Sequence, residues 1–144
     1  MNDVLTVNVI MEKGGDRNFS CFSENESLDW GIVGMGKSVE DAIKDFYSGF
    51  DEMKKCLEEE GKEIPQVRFR FIMDVGSLFD YYPINVTAFA KYIGMNASLL
   101  RQYASGKRIA KAKSLEKIRT GLEKLKNDID VGSLIEKPVL QYVN

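Results

Sequence analysis

The stretch VTAFAKYIGMNASLLRQYAS, residues 86–105, places small, turning and apolar residues at the spacing that packs two short helices against each other. Ala90 leaves room for a close helix crossing, and Gly94, four residues later, can adopt the left-handed conformation of a tight turn. Asn85 and Asn96 stand where each helix would begin, and asparagine is a favoured N-cap. The stretch therefore predicts a helix-turn-helix.

The second helix of such a pair enters the DNA major groove with its N-terminal residues nearest the bases. Arg101 and Gln102 have side chains that can form bidentate hydrogen bonds with guanine and adenine, whereas Lys107 and Arg108 are expected to contact phosphates. A helical hairpin that binds no nucleic acid would have a similar pattern and is the alternative. The predicted DNA-contacting residues are Asn96, Ser98, Leu99, Arg101, Gln102, Lys107 and Arg108.

The charges of the chain are divided between its two halves. Residues 1–83 carry 9 Lys and Arg against 17 Asp and Glu, a net charge of −8, whereas residues 84–144 carry 11 against 5, a net charge of +6. Residues 101–126 are especially basic, with only two acidic side chains among them. A basic second half suits a surface that follows phosphates, although a solvated helix surface can have the same composition.

Alternation and glycine placement in the first half predict the order βββαβ. LTVNVIM at residues 5–11 alternates apolar and polar side chains, and strands are also expected at residues 19–22 and 30–33. A helix is expected over residues 38–60, opened by a Ser38 cap, and VRFRFIM at residues 67–73 resembles an edge strand with two outward arginines. Such an edge protects against unwanted pairing, or accepts a strand from a partner protein.

Three glycines precede the predicted helix, at positions 31, 34 and 36. Their order is GxxGxG and no phosphate-loop Lys-Ser or Lys-Thr pair follows, so a tight turn from strand into helix is favoured over a phosphate-binding loop.

The second half is predicted to be all helical. A short helix is expected within residues 75–82, and a closing helix begins at Ser114, with an apolar stripe of Leu115, Ile118, Leu122, Leu125 and Ile129 that completes a core or pairs with a second subunit. The predicted class is α+β, with an α+β domain at residues 1–74, an all-α DNA-binding domain at residues 75–130 and a tail of unknown role at residues 131–144.

Several classes of function fit the composition poorly. The chain has no histidine, and its two cysteines, Cys21 and Cys56, are expected to be reduced structural thiols. A nuclease that uses two metal ions needs several carboxylates gathered at one place, whereas the acids of the first half are scattered and LTVNVIM has none. We therefore expect no enzyme activity, no metal and no cofactor. No apolar run is long enough to span a membrane and no signal peptide is evident, which predicts a cytoplasmic protein.

The string FSCFSENESLDWGIVGMGKSVEDAIKDFYSGFDEMKK at residues 19–55, followed by EIP at residues 63–65, resembles the HicB-like antitoxin domain. The second half resembles the lambda-repressor-like, XRE-type helix-turn-helix through Ala90, Gly94, Leu100 and YASGKR at residues 103–108. HicB-like proteins join a partial RNase H-like domain to a DNA-binding domain in this order.

The resemblance implies a type II antitoxin that binds and neutralises a small, basic, HicA-like ribonuclease toxin and represses its own operon. A stand-alone transcription regulator with a ligand-sensing or dimerising N-terminal domain is the alternative. Because helix-turn-helix proteins commonly bind two-fold operator DNA, a homodimer or higher homo-oligomer is expected. The sequence does not fix its surface, for which the tail at residues 131–144 is a candidate.

Overall fold

The computed structural model describes residues 3–24, 30–130 and 132. The predicted tail at residues 131–144 lies outside the described residues except for Gly132, and so does most of the predicted loop before the third strand. The class is mixed α+β, as predicted. In chain order the elements are β1 (Leu5–Lys13), β2 (Phe19–Ser23), β3 (Val33–Gly36), α1 (Val39–Glu59), β4 (Val67–Met73), α2 (Val75–Tyr81), α3 (Val86–Ile93), α4 (Ala97–Ala104) and α5 (Ala112–Asp128).

The four strands form one mixed sheet in the order β3-β2-β1-β4. β1 pairs antiparallel with β2 and parallel with β4, so β4 is an edge strand, as its arginines predicted. Val7, Val9 and Met11 alternate onto the buried face of β1, whereas Leu5, predicted on the same face, lies at the start of the strand and is 38% exposed.

Helix α1 covers one face of the sheet and forms the first hydrophobic core. Ser38 caps the helix, because its Oγ accepts the N–H of Asp41 at 3.0 Å. Phe46 is fully buried and meets the rings of Phe69 and Phe71 edge-to-face, with centroids 4.9 and 5.6 Å apart. The α1 side chains and the inward row of β4 therefore form one continuous apolar layer.

The third strand lies further along the chain than residues 30–33, where it was predicted, and contains two of the three glycines. A β-carbon on Gly34 would lie 2.6 Å from the backbone N of Phe46, and one on Gly36 would lie 2.6 Å from the backbone N of Ala42. The prediction that Gly34 and Gly36 turn the strand into the helix was therefore wrong. They allow the α1 backbone to lie directly against β3.

The four remaining helices surround a second core. Its buried members are Phe89, Ala90, Leu100, Tyr103 and Ile118. Helix α5 begins two residues before the predicted Ser114, and its Leu122 and Leu125 pack on this core, while Leu115 and Ile129 stay exposed. The middle of the predicted apolar stripe therefore packs on the core, whereas its two ends do not. No helix in the described part of the chain combines the length and apolarity needed to cross a bilayer.

Candidate nucleic-acid interface

Helices α3 and α4 are joined by a turn of three residues, 94–96. Gly94 adopts the left-handed conformation, at φ 72° and ψ 34°, and the N–H of Met95 donates to the Ala90 carbonyl at 2.8 Å. The side chain of Asn85 accepts the N–H of Ala88 at 2.9 Å, and that of Asn96 accepts the N–H of Leu99 at 3.0 Å. The caps and the turn lie where the sequence placed them.

The inner faces of the two helices are held by close packing. Ala90 and Leu100 are fully buried at the crossing, where the methyl group of Ala90 permits a short approach. Tyr103 is also buried, and its hydroxyl donates to Ser114 Oγ at 3.2 Å, which connects α4 to α5. The orientation of α4 is therefore fixed by contacts on two sides.

The outer face of α4 carries exposed polar side chains. Ser98 and Arg101 are both exposed and lie one helical turn apart, and Gln102 next to them is half-buried. Arg101 Nη1 donates to Thr87 Oγ1 on α3 at 3.0 Å. This bond holds the guanidinium group across the open side of the α3–α4 pair. Thr87 was not predicted, because it precedes Arg101 by fourteen residues and no local pattern connects the two.

Two predicted DNA contacts have other roles within the fold. The Asn96 side-chain oxygen is occupied by the cap at the start of α4, which leaves its exposed amide nitrogen as a donor. Leu99 is half-buried and packs against the second core, on a different side of α4 from Arg101. The structure thus brings Ser98, Arg101 and Gln102 together and directs Leu99 inward.

Lys107 and Arg108 lie in the loop that follows α4, and both are exposed. Gly106 takes a positive φ of 80° at this point, and the Arg108 N–H donates to the Gln102 carbonyl at 3.3 Å. The loop therefore returns beside the C-terminal turn of α4. Two cations next to the outer face of a helix are well suited to phosphate contact.

Several basic residues of α5 form contacts within the protein. Lys117 Nζ donates to the carbonyl of Gly94 at 2.8 Å and so supports the α3–α4 turn. Arg119 pairs with Glu116 at 3.3 Å. Lys124 lies 4.1 Å from the centroid of the Tyr92 ring. These three cations account for part of the basic excess in the second half.

Tyr92, Lys124 and Asp128 form a small polar cluster at the end of α5. Asp128 accepts a hydrogen bond from the Tyr92 hydroxyl and pairs with Lys124 at 3.2 Å. The Tyr92 hydrogen bond, and then that from Lys124, lower the pKa of Asp128. Hydrogen bonds with Tyr92 and with Asp128 raise the pKa of Lys124. The cluster joins the end of α5 to α3.

The described part of the chain contains no cluster of side chains suited to a metal ion, and its two cysteines differ in exposure. Among residues 3–24 and 30–130, no three Cys, Asp or Glu side chains are arranged to hold a metal ion. Cys21 is buried, and burial raises the pKa of its thiol to about 11, whereas Cys56 is exposed. The exposed polar face of α4 with its neighbouring loop is the better candidate for a functional site.

No family model, curated protein or solved structure matches this chain.

Proposed function

We propose that the protein is a DNA-binding transcription repressor that serves as the antitoxin of a type II toxin–antitoxin pair. In this proposal α3 and α4 act as a helix-turn-helix, with α4 in the major groove of operator DNA. The DNA-binding part rests on the exposed face of α4, where Ser98, Arg101 and Gln102 lie together. The opposite face of this helix packs against the second core, which fixes its orientation. Arg101 and Gln102 have the hydrogen-bonding groups that distinguish guanine and adenine.

The charge of the second half supports the same proposal. Lys107, Arg108, Lys111 and Lys113 are all exposed, and they follow α4 directly in the chain. Positive side chains beside a base-contacting helix neutralise phosphates and release counterions, which supplies most of the non-specific affinity for DNA.

The antitoxin part rests on the resemblance to HicB-like domains and on the acidity of the first half. Helix α1 alone carries seven Asp and Glu against three Lys. A small basic toxin of the HicA-like class would be attracted to this surface, because complementary charge accelerates association and favours the correct partner.

Binding to DNA from the protein's own promoter tests the first part of the proposal. Gel-shift titrations at several salt concentrations should show tighter binding to this DNA than to a scrambled duplex. The variant Arg101→Ala/Gln102→Ala should bind both duplexes equally. Equal affinity of the unmodified protein for both duplexes would contradict repression at a specific operator.

Native purification from the protein's own cells tests the second part. We expect a small basic protein to co-elute, to arrest growth when expressed alone, and to be neutralised by co-expression of the full chain. Arg101→Ala/Gln102→Ala should neutralise it equally well, because the proposed toxin surface lies in the other half of the chain. Recovery of the protein without a partner would exclude the antitoxin role under those growth conditions.

A stand-alone, ligand-responsive regulator is the second candidate, and one feature favours it. A groove of about 620 Å³ lies between the end of β4 and helices α2, α4 and α5. Phe79, Ile118 and Leu122 form part of its apolar lining, and Arg108 and Arg119 contribute charge. An effector bound there would contact both halves of the chain. The same native purification separates the two candidates, because the regulator needs no protein partner.

A further inference from the structure

The face of the sheet opposite α1 bears a straight row of apolar side chains. Ile10 pairs with Phe22 and with Ile72, and Phe22 pairs with Val33, so one apolar residue from each strand stands at the same level. Directly paired residues of neighbouring strands point to the same side of a sheet, and these four alternate with the buried row beneath α1. The row therefore crosses the entire open face.

This row is accessible at both of its ends. Val33 on β3 is 61% exposed and Ile72 on β4 is 42% exposed, while Ile10 and Phe22 between them are half-buried by their neighbours. None of the four belongs to either hydrophobic core of the described residues. An apolar row of this kind on an open sheet marks an interaction surface.

Charged side chains lie both above and below the apolar row, and Glu12 on β1 is the one directly above it. Arg70 on β4 and Glu24, just after β2, both lie one level below the apolar row, since Arg70 pairs with Asn8 and the Glu24 N–H donates to the Asn8 carbonyl at 2.9 Å. Asn8 Nδ2 also donates to Glu24 Oε2 at 3.4 Å. Below the row, the face is thus basic at β4 and acidic beside β2.

We infer that this open face, centred on Ile10, Phe22, Val33 and Ile72, is the contact surface between two copies of the chain. Two such faces can be related by a two-fold axis that runs parallel to the strands, midway between them. This rotation places β4 of one copy over β3 of the other, and residues at the same level along the strands then face each other. Ile72 then meets Val33 of the second copy, and Ile10 meets Phe22. Packed sheets of this type align within about 30°.

The same rotation brings opposite charges near each other at the level of Asn8. Arg70 is offset sideways by one strand spacing, ~4.8 Å, from the strand that carries Glu24 of the second copy, and the two sheets would lie ~10 Å apart, so the two long side chains can meet between them. The symmetry repeats this pair at the same level, on the other side of the two-fold axis. An apolar row with this pairing of opposite charges beside it suits an isologous dimer. A uniformly basic partner would meet Arg68 and Arg70 unfavourably here, so we assign the acidic surface of α1, and not this face, to a toxin.

The dimer inference does not depend on DNA binding and is tested on the purified full chain without DNA. Sedimentation equilibrium over a range of concentrations should show a monomer–dimer equilibrium for the unmodified protein. Ile72→Lys should weaken the dimer at least about tenfold, which corresponds to 1.4 kcal/mol, because a lysine would then stand within the apolar row. Ile109→Lys is the matched control, since Ile109 is 89% exposed on the loop between α4 and α5.

Charge reversal tests the orientation of the two copies. Arg70→Glu should weaken the dimer, and Arg70→Glu combined with Glu24→Arg should restore it. Circular dichroism establishes that each variant is folded, and both Ile72 and Arg70 are exposed enough to be replaced without disturbing a core.

The inference is overturned if the unmodified chain is monomeric at all concentrations, if Ile72→Lys leaves the dimer intact, or if the double reversal fails to restore it. A complex with a different protein that Ile72→Lys abolishes, while the isolated chain stays monomeric, would assign the face to that protein and would also overturn the inference.

Discussion

Thr87 on α3 holds the Arg101 side chain of the neighbouring helix by a hydrogen bond, which bears directly on the proposed contact of Arg101 with DNA bases. Arginine has four rotatable side-chain bonds, and a hydrogen bond that restricts it before binding reduces the entropy lost on the DNA. We expect Thr87→Val to lower the preference for the operator over scrambled DNA several-fold, because valine keeps the shape of threonine and removes the acceptor oxygen. Thr87→Ser keeps that oxygen and is the control. Equal discrimination by the valine and serine variants would show that the bond is incidental.

Direct contact by Arg101 and Gln102 should have a larger effect. Each good bidentate pair contributes about 1–3 kcal/mol of discrimination, so Arg101→Ala should reduce the preference for the operator by roughly 5- to 150-fold. Ser105→Ala, at an exposed position one turn further along, serves as a control for general effects on α4. If Arg101→Ala weakened binding to every duplex equally, Arg101 would be a phosphate contact and not a base contact.

The two thiols should respond very differently to reagents and to pH. At pH 8 a thiol reagent should label exposed Cys56, and buried Cys21 only after denaturation, as intact mass would show. Because burial raises the pKa of Cys21 from 9.0 to about 11, the unfolded thiol loses its proton in this interval while the folded one retains it. The stabilising contribution is complete below pH 9 and decreases as the pH rises towards 11. The free energy of unfolding of Cys21→Ala should decrease less over this interval than that of the unmodified protein.

At the scale of elements, the contact between β3 and α1 depends on glycine. Gly34→Ala should destabilise the protein by about 1–3 kcal/mol or more, because the new methyl group would press against the α1 backbone, which cannot rotate away. Gly15→Ala should change stability by less than about 1 kcal/mol, because no atom lies within 4 Å of the added carbon. Denaturant midpoints measure both. Equal stability of the two variants would mean that α1 can shift on the sheet.

The same contact explains why one strand was predicted at the wrong place. Periodicity locates elements whose apolar residues repeat locally, as in β1, α1 and α4, and their caps at Ser38, Asn85 and Asn96 were also evident from the sequence. β3 has no such signal, because two of its four residues are glycines that face α1. The helix that requires those glycines begins later in the chain, so a local pattern suggested a turn instead.

At the scale of the whole molecule, the sequence predicted the types of element and their order along the chain better than it predicted which strands pair. The mixed α+β class follows from local patterns, whereas the sheet order β3-β2-β1-β4 depends on contacts between distant segments. The apolar row on the open face became visible only once Ile10, Phe22, Val33 and Ile72 were in register. Ser98 and Arg101 lie on the exposed side of α4, as helical periodicity indicated, and their contact with DNA stays a prediction. The prediction for Leu99 differed from the structure because Leu99 lies near the edge of the apolar stripe of α4, where periodicity does not decide between the core and the solvent.

The basic residues of the second half should fall into two groups when the DNA-binding constant is measured at several salt concentrations. The logarithm of the binding constant falls linearly with the logarithm of salt concentration, and each phosphate contact contributes about one unit of slope. Lys107→Ala should therefore reduce the slope by about one unit and weaken binding to all duplexes. Lys124→Ala removes the same formal charge but should leave the slope unchanged, because Lys124 already contacts Tyr92 and Asp128. If both variants reduced the slope equally, net charge and not the surface beside α4 would govern binding.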